Sequence, residues 1–434
     1  MNRPNVVYLH SHDTGRYIQP YGHAIPTPNL QRFAEQGVLF RQCFTVNPTC
    51  SPSRAALLTG QYPHQNGMTG LAHRGFSLYD YSRHILHTLR EAGYYSALTG
   101  IQHIAKDRSM IGYDALLSGN PEVAGPAFLD NPPEQPFFLS VGFFDTHRVF
   151  PDPDPRDDPD YCLPPAPLPD TPETRRDMAA FKTSARSLDE KMGKVLEALD
   201  RNGLTENTIV ICTTDHGIAF PRMKCNLQDS GTGVMLMVRG PGGFEGGRVF
   251  DGMVTHMDLY PTLCDLLEME RPEWLEGESL LPLVREEKDE IHDAIFCQVN
   301  YHASYEPLRS VRTKRWKYIR RFDDRTRPIL PNCDDGESKR LWMEHGWQER
   351  EPDGEMLFDL IFDPNETSNL VRDPRYQKIL QDMRSRLERW QIEKRDPVLQ
   401  GPVQAPESAI ANDPGALHPD KETVKLVSEL YPGQ

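Results

Sequence analysis

With 434 residues, 38% hydrophobic and 26% charged, the chain holds enough apolar material for one large domain with an appendage, or for two domains. A formal charge of −15 argues against nucleic acid or an anionic membrane as a general partner, although a locally positive pocket in an acidic protein still binds an anion. Eight cysteines in so long a chain form no disulfide framework, and none of them makes a Cys-x-x-Cys pair. No apolar run is long enough to cross a bilayer. Met1-Asn2-Arg3-Pro4 leads into a strand without the charged start and apolar core of a leader, so a cytoplasmic location is expected.

In chain order, apolar β-rich runs alternate with helical patterns, which predicts an α/β fold with a mainly parallel sheet flanked by helices. The first strand is Asn5 to Leu9, and a helix over Asn29 to Gln36 is stopped by Gly37. Cys50 to Thr59 predicts a short helix. Pro52 suits its first turn, Ala55-Ala56-Leu57-Leu58 favours it, and Gly60 suits a left-handed exit. Cys50 then sits where free N–H groups and the positive helix end converge, a nucleophile position inside an anion site. Strands follow at Tyr94 to Leu98 and Phe137 to Phe144, then a proline-dense loop from Pro151 to Pro172. A long helix from Arg176 to Asn202 precedes strands at Thr208 to Cys212 and Val234 to Val238, and a helix over Leu259 to Glu268. After about residue 285 the pattern changes to short antiparallel strands at Ile295 to Val299, Leu308 to Arg312 and Trp316 to Arg320, with a charged helix from Arg375 to Glu393. Beyond 398, Pro, Gly and Ala predict an extended arm or flexible tail. The expected divisions are therefore 1–285, 286–397 and 398–434.

Four of the strands lead into acid–base residues. They are followed by His10-Ser11-His12-Asp13, by Gly100-Ile101-Gln102-His103, by Asp145-Thr146-His147, and by Thr213-Thr214-Asp215-His216. In open α/β sheets, sites form at the carboxyl ends of strands, so this regularity locates the site. Asp13, Asp215 and His216 converging there can hold a divalent cation. His12 is a further ligand, a donor to the ligands, or a substrate contact.

Cys50-x-Pro52-Ser53-Arg54 followed by Leu58-Thr59-Gly60 resembles the signature of the formylglycine-dependent (type I) sulfatases. The resemblance runs from about residue 3 to about 396. Arg3-Pro4-Asn5-Val6-Val7, Thr27-Pro28-Asn29-Leu30, Phe358-Asp359-Leu360, Asp363-Pro364-Asn365-Glu366 and Asn369-Leu370 are similar to family segments. Within the family, Cys50 to Met68, Phe220 to Leu227 and Arg384 to Pro397 resemble the heparan N-sulfatase (sulfamidase) branch. The resemblance implies an alkaline-phosphatase-like fold with a smaller C-terminal subdomain of antiparallel sheet plus helix. It also implies a formylglycine made from Cys50 by a formylglycine-generating enzyme, a divalent metal, and hydrolysis of a sulfate ester or sulfamate on a sugar resembling N-sulfoglucosamine.

By that resemblance the metal is calcium, held by Asp13, Asp215, His216, His12 and the modified Cys50. Arg54 holds the nucleophile, His103 is its base, His147 protonates the leaving group, and Lys224 binds the sulfate. Arg222 competes with Lys224. Gln65, Asn66 and Met68 are expected at the pocket mouth, and Tyr301 and His302 near the leaving group. Three positions depart from the family pattern. His12 replaces an aspartate, His216 an asparagine, and Ile101 the lysine of Gly-Lys-x-His. Two imidazoles admit manganese or zinc as well as calcium. Lys106 or Arg108 is the expected substitute for the charge missing at Ile101. The departures keep a phosphonate monoester or phosphodiester hydrolase as an alternative, with a non-catalytic carbohydrate-binding relative as a third. A sulfated small molecule or oligosaccharide is the expected partner, with no nucleic acid and no membrane, and a homo-oligomer is compatible.

Overall fold

The computed structural model describes residues 3–432; positions 1–2 and 433–434, the outermost ends of the expected first and last segments, lie outside the described residues. The main sheet has eight strands. They are β1 Asn5–His10, β2 Val38–Phe44, β3 Tyr95–Gly100, β4 Ala115–Leu116, β5 Phe137–Gly142, β6 Thr208–Thr213, β7 Leu236–Arg239 and β8 Arg248–Thr255. Their order is β4-β3-β5-β1-β6-β7-β2-β8. All neighbours run parallel except β7, which is antiparallel to both β6 and β2. The central strands are buried on both faces, which is why they are continuous apolar runs in the sequence. Side chains of β1 alternate between two cores. Val6 and Tyr8 join one with Ala55, Leu57 and Leu58, while Val7 and Leu9 join another with Leu188, Met192 and Val195 of the long helix. That helix spans Pro172–Arg201, starting four residues before the expected Arg176 because Thr171 caps it and Pro172 opens it.

A second, four-stranded antiparallel sheet follows the order β12-β11-β10-β9, with β9 Ile295–Tyr301, β10 Tyr305–Arg312, β11 Trp316–Arg321 and β12 Glu355–Asp359. The helix Gln377–Glu393 lies on it, and Trp390 stacks on Phe296 with ring centroids 5.2 Å apart. Beside this helix the fully buried Arg309 grips Asp396 through Nε at 2.6 Å and Nη2 at 2.8 Å. Removing one partner strands a buried charge, so Arg309→Ala is expected to cost about 3–5 kcal/mol, read as a lowered denaturation midpoint.

Residues 398–432, expected as an arm or flexible tail, are packed along the body. Val398, Val403, Ala409, Ala411 and Val427 enter the main core, and β13 Ile410–Asn412 pairs with β14 Val424–Leu426. The proline-rich composition signalled the irregular path, but the spaced apolar residues that anchor it were too sparse to show periodicity. Among the described residues no helix is long and apolar enough to cross a membrane, and all eight cysteines are buried and unpaired.

Candidate active site

Four neighbouring strands, β3, β5, β1 and β6, deliver their carboxyl ends to one place. Opposite them the helix Cys50–Thr59, buried along its whole length, presents Cys50 at its first position. Gly60 ends that helix at φ +67°, with its N–H bonded to the Ala56 carbonyl at 2.9 Å. Ser53 Oγ, on the same helix, donates to the Asp215 carbonyl at 2.5 Å and fixes helix against strand end.

His12, Asp13, Cys50, Asp215 and His216 bring one donor atom each to within 4.8 Å of one another, and all five residues are buried. His12 Nδ1 lies 3.0 Å from Asp13 Oδ1 and 3.1 Å from Asp215 Oδ2. His216 Nε2 lies 3.3 Å from Asp13 Oδ1, 3.6 Å from Asp215 Oδ2 and 3.3 Å from the Cys50 sulfur. Two carboxylates held this close in a low-dielectric interior repel unless positive charge sits between or beside them. The donor set therefore fits a divalent cation, with two imidazole nitrogens that suit transition metals. Asp13 reaches its place through a left-handed backbone, φ +52°, and its N–H donates to Asp215 Oδ1 at 2.8 Å. This bond couples the two acid-bearing strand ends.

Both terminal nitrogens of Arg54 are engaged, while its buried Nε has no partner among the described residues. Its Nη2 donates to Asp215 Oδ2 at 2.9 Å and to the Ser11 carbonyl at 2.7 Å, and its Nη1 to His10 Nδ1 at 2.6 Å. Burial and the Arg54 charge push the His10 pKa far down, so the ring is neutral. Nδ1 then accepts from the guanidinium, and Nε2–H faces Ser140 Oγ at 3.3 Å. His10 belongs to the first strand-end cluster, yet nothing in the sequence signalled its part in holding Arg54.

Lys224 Nζ is buried between Asp13 Oδ2 and Asp334 Oδ2, each at 2.9 Å. Burial alone would lower its pKa, but the two carboxylates outweigh burial and keep the ammonium charged. Burial likewise pushes the Cys50 thiol up, while Lys224, His12 and His216 together hold it well below the ordinary thiol range. His103 and His302 also sit against the Cys50 sulfur. His103 occupies a left-handed position, φ +56°, and its Nε2 lies 3.0 Å from Nδ1 of the exposed His73. The His147 ring packs edge-on to His12 at 4.8 Å, and its Nδ1 faces the Arg148 carbonyl at 2.5 Å.

Several expected residues stand elsewhere. Gln65 Oε1 accepts from the Tyr62 N–H at 2.9 Å and its Nε2 donates to Glu276, while Asn66 bonds Thr59 Oγ1 and the Met68 N–H. Both tie the turn after the nucleophile helix, and Met68 is core. Arg222 donates to the Glu366 carbonyl at 2.9 Å, away from the nucleophile, because left-handed residues at Arg222 and Cys225 turn only Lys224 inward. Tyr301 is core, with its Oη donating to the Val403 carbonyl at 2.7 Å. Lys106 and Arg108 are exposed on a surface loop. Asp145 turns outward to Lys191. Asp334 and His73 were missed, since neither lies in a quoted motif, and His10 was quoted in the first strand-end cluster but given no role.

The sheet, the strand-end acids and Cys50 at the head of its buried helix fit a hydrolase of the alkaline-phosphatase-like class. Comparison with known proteins narrows the class. The "Sulfatase" family profile matches residues 4–269, and the "N-sulphoglucosamine sulphohydrolase, C-terminal" profile matches residues 223–335. The chain is 30% identical to N-sulphoglucosamine sulphohydrolase of Homo sapiens, covering 95% of each chain. It is 28% identical to an ulvan-active sulfatase of Formosa agariphila, covering 89% of this chain and 74% of that one. Among solved structures, a 2-O GAG sulfatase superposes with a TM-score of 0.72 at 23% identity, covering 93% of this chain and 95% of that one. A protein solved in complex with its substrate D-glucosamine-2-N,6-O-disulfate superposes with a TM-score of 0.69 at 19% identity, covering 92% of this chain and 99% of that one. The chain belongs to the sulfatase family. It is a hydrolase of sulfate esters or sulfamates.

Proposed function

We propose that this protein removes sulfate from a sulfated sugar resembling N-sulfoglucosamine, with a formylglycine derived from Cys50 as nucleophile and a divalent cation beside it. The observation that carries this reading is the seat of Cys50, first in its helix, 3.3 Å from His216 Nε2 and flanked by Lys224, His103 and His302. Support for an amino-sugar sulfamate comes from the human relative, which aligns over nearly the whole of both chains. His12, Asp13, Asp215 and His216 would hold the cation together with the modified Cys50. Bound there, the cation and the hydrated aldehyde would supply a nucleophilic oxygen at neutral pH and polarise the sulfuryl oxygens.

The chain's own residues do the rest. Arg54 holds Asp215 in place, and its charge and that of Lys224 oppose the negative charge that gathers on the sulfuryl group. His103 takes a proton from the nucleophile and passes it from Nε2 to His73 Nδ1, which opens to solvent. His147 has Nδ1 committed to the Arg148 carbonyl, which leaves Nε2 to protonate the departing oxygen or nitrogen. At Ile101, where the family pattern has lysine, the two cations that follow, Lys106 and Arg108, are exposed rather than turned into the site.

The test is sulfate release from N-sulfoglucosamine, glucosamine 6-sulfate and an aryl phosphonate. Release from a sugar sulfate, faster than phosphonate cleavage, is the expected result. The His216 and Ile101 departures favour phosphonate or phosphodiester hydrolysis as a second reading, and a phosphonate preference would select it. Chelation is expected to lower turnover by about a hundredfold or more and to release a divalent ion detectable by plasma mass spectrometry. His216→Asn, which exchanges an imidazole for an amide oxygen, is expected to shift retained metal toward calcium, read by the same metal analysis.

A further inference from the structure

Asp334 has more capacity than Lys224 uses. Its Oδ2 is sealed from solvent and lies 2.9 Å from Lys224 Nζ, while its Oδ1 makes no hydrogen bond among the described residues. The side chain is 19% exposed, and with Oδ2 sealed that opening falls on the rest of it. Asp13 Oδ2, also at 2.9 Å, already pairs the same ammonium, so a counterion role alone leaves Asp334 redundant. Burial raises the Asp334 pKa, but Lys224, His302 and His147 outweigh burial and the neighbouring Asp13 and hold it below the usual carboxylate range. It is an anion, an acceptor with no proton to give.

The loop that carries it is fixed in place. The Ser338 N–H donates to Asp177 Oδ2 at 3.1 Å, and the buried Lys339 Nζ donates to the Cys333 carbonyl at 2.9 Å and to Asp335 Oδ1 at 2.7 Å. His418 of the C-terminal segment meets Asp335 Oδ1 at 2.7 Å. A carboxylate anchored in this way is preorganised for a ligand.

Its neighbours mark which end of a substrate it meets. His147, the proton donor to the departing atom, and His302, beside the Cys50 sulfur, both act on its charge. A sulfuryl group is negative and is repelled by a carboxylate, so Asp334 suits the departing atom rather than the sulfuryl oxygens. An ester oxygen in that position carries no hydrogen. A sulfamate nitrogen carries one N–H and gains more as it leaves. The S–N bond breaks with its electron pair staying on nitrogen, the proton from His147 joins that nitrogen, and the sulfuryl group passes to the nucleophile. The amine then takes a proton from water and departs as an ammonium.

We propose that Asp334 is a specificity residue, which accepts a hydrogen bond from the sulfated nitrogen and pairs with that nitrogen as it becomes positive, and so favours a sulfamate over a sulfate ester. The inference rests on the sulfated-sugar reading of the same site.

The test has a binding arm and a kinetic arm, both on the full-length protein co-expressed with a formylglycine-generating enzyme. Ligand-observed NMR titration is expected to show glucosamine binding more tightly than glucose, and Asp334→Asn, checked for an unchanged melting temperature, is expected to abolish the difference. In the kinetic arm, Asp334→Asn is expected to lower kcat/KM for N-sulfoglucosamine by about tenfold or more and to leave that for 4-nitrophenyl sulfate within about threefold. An equal loss on both substrates would mean that Asp334 only positions Lys224, and overturns the proposal. So does a wild type that binds glucosamine no better than glucose, a result that needs no folded variant. Binding is read without turnover. An Asp334-dependent preference for the amine without sulfate release would sink only the sulfatase reading, and sulfate release without that preference only this one.

Discussion

Cys50→Ala is expected to lower sulfate release by about four orders of magnitude or more, because it removes the side chain proposed as the nucleophile's precursor while leaving the pocket intact. Cys50 is buried at the first turn of a helix whose remaining residues pack regardless of it, so the variant is expected to fold with a nearly unchanged melting temperature. The two readouts separate chemistry from structure. Sulfate quantified by ion chromatography should fall to background, and the denaturation curve should barely move. A variant that still released sulfate at a wild-type rate would mean that Cys50 is only a buried thiol. His216, His103 and His302 would then have gathered around it without catalytic purpose.

Arg54→Ala is expected to damage both fold and activity. Its buried guanidinium makes three bonds, to Asp215, the Ser11 carbonyl and His10. Truncation strands the Asp215 carboxylate, at an expected cost of about 3–5 kcal/mol, together with loss of turnover because Asp215 is free to turn away from the nucleophile. Arg54→Lys keeps the charge but reaches fewer acceptors, since an ammonium lacks the planar fork. It is expected to recover part of the stability and little of the rate. Arg309→Ala is the useful comparison: it breaks a buried pair that is not part of the cluster around Cys50, so at a temperature where it stays folded it should keep its rate. If Arg54→Ala also kept its rate when folded, Arg54 would be a structural residue alone.

Much of the site was legible because strand ends in a parallel sheet are a fixed address. Asp13, His103, His147, Asp215 and His216 each follow an apolar run, and the sheet order places those four runs side by side. The helix from Cys50 to its stop at Gly60 was legible because helix start and stop chemistry is local, whereas the roles of Cys50 and Arg54 came from the resemblance to the sulfatase signature. What the sequence hid was long-range or orientational. Asp334 meets Lys224 across 110 residues, with only a loop around it to give notice. Arg222 and Lys224 are two residues apart, yet opposite in direction, because left-handed backbone at 222 and 225 reverses the alternation. Gln65 and Asn66 were drawn toward the site by closeness to Cys50, but their amides serve the turn beside them. In the fold, β2 and β8 escaped notice for a physical reason. Arg41 and Gln42 interrupt the first, and the outer half of the second lies at the sheet edge with alternate residues exposed.

The measurement that bears most directly on the proposed chemistry is the mass of the peptide containing Cys50, from protein co-expressed with a formylglycine-generating enzyme and assayed for sulfate release in the same preparation. The predicted result is a peptide carrying the aldehyde, with turnover rising in proportion to the converted fraction. Full turnover from protein whose Cys50 remains an unmodified thiol would contradict it.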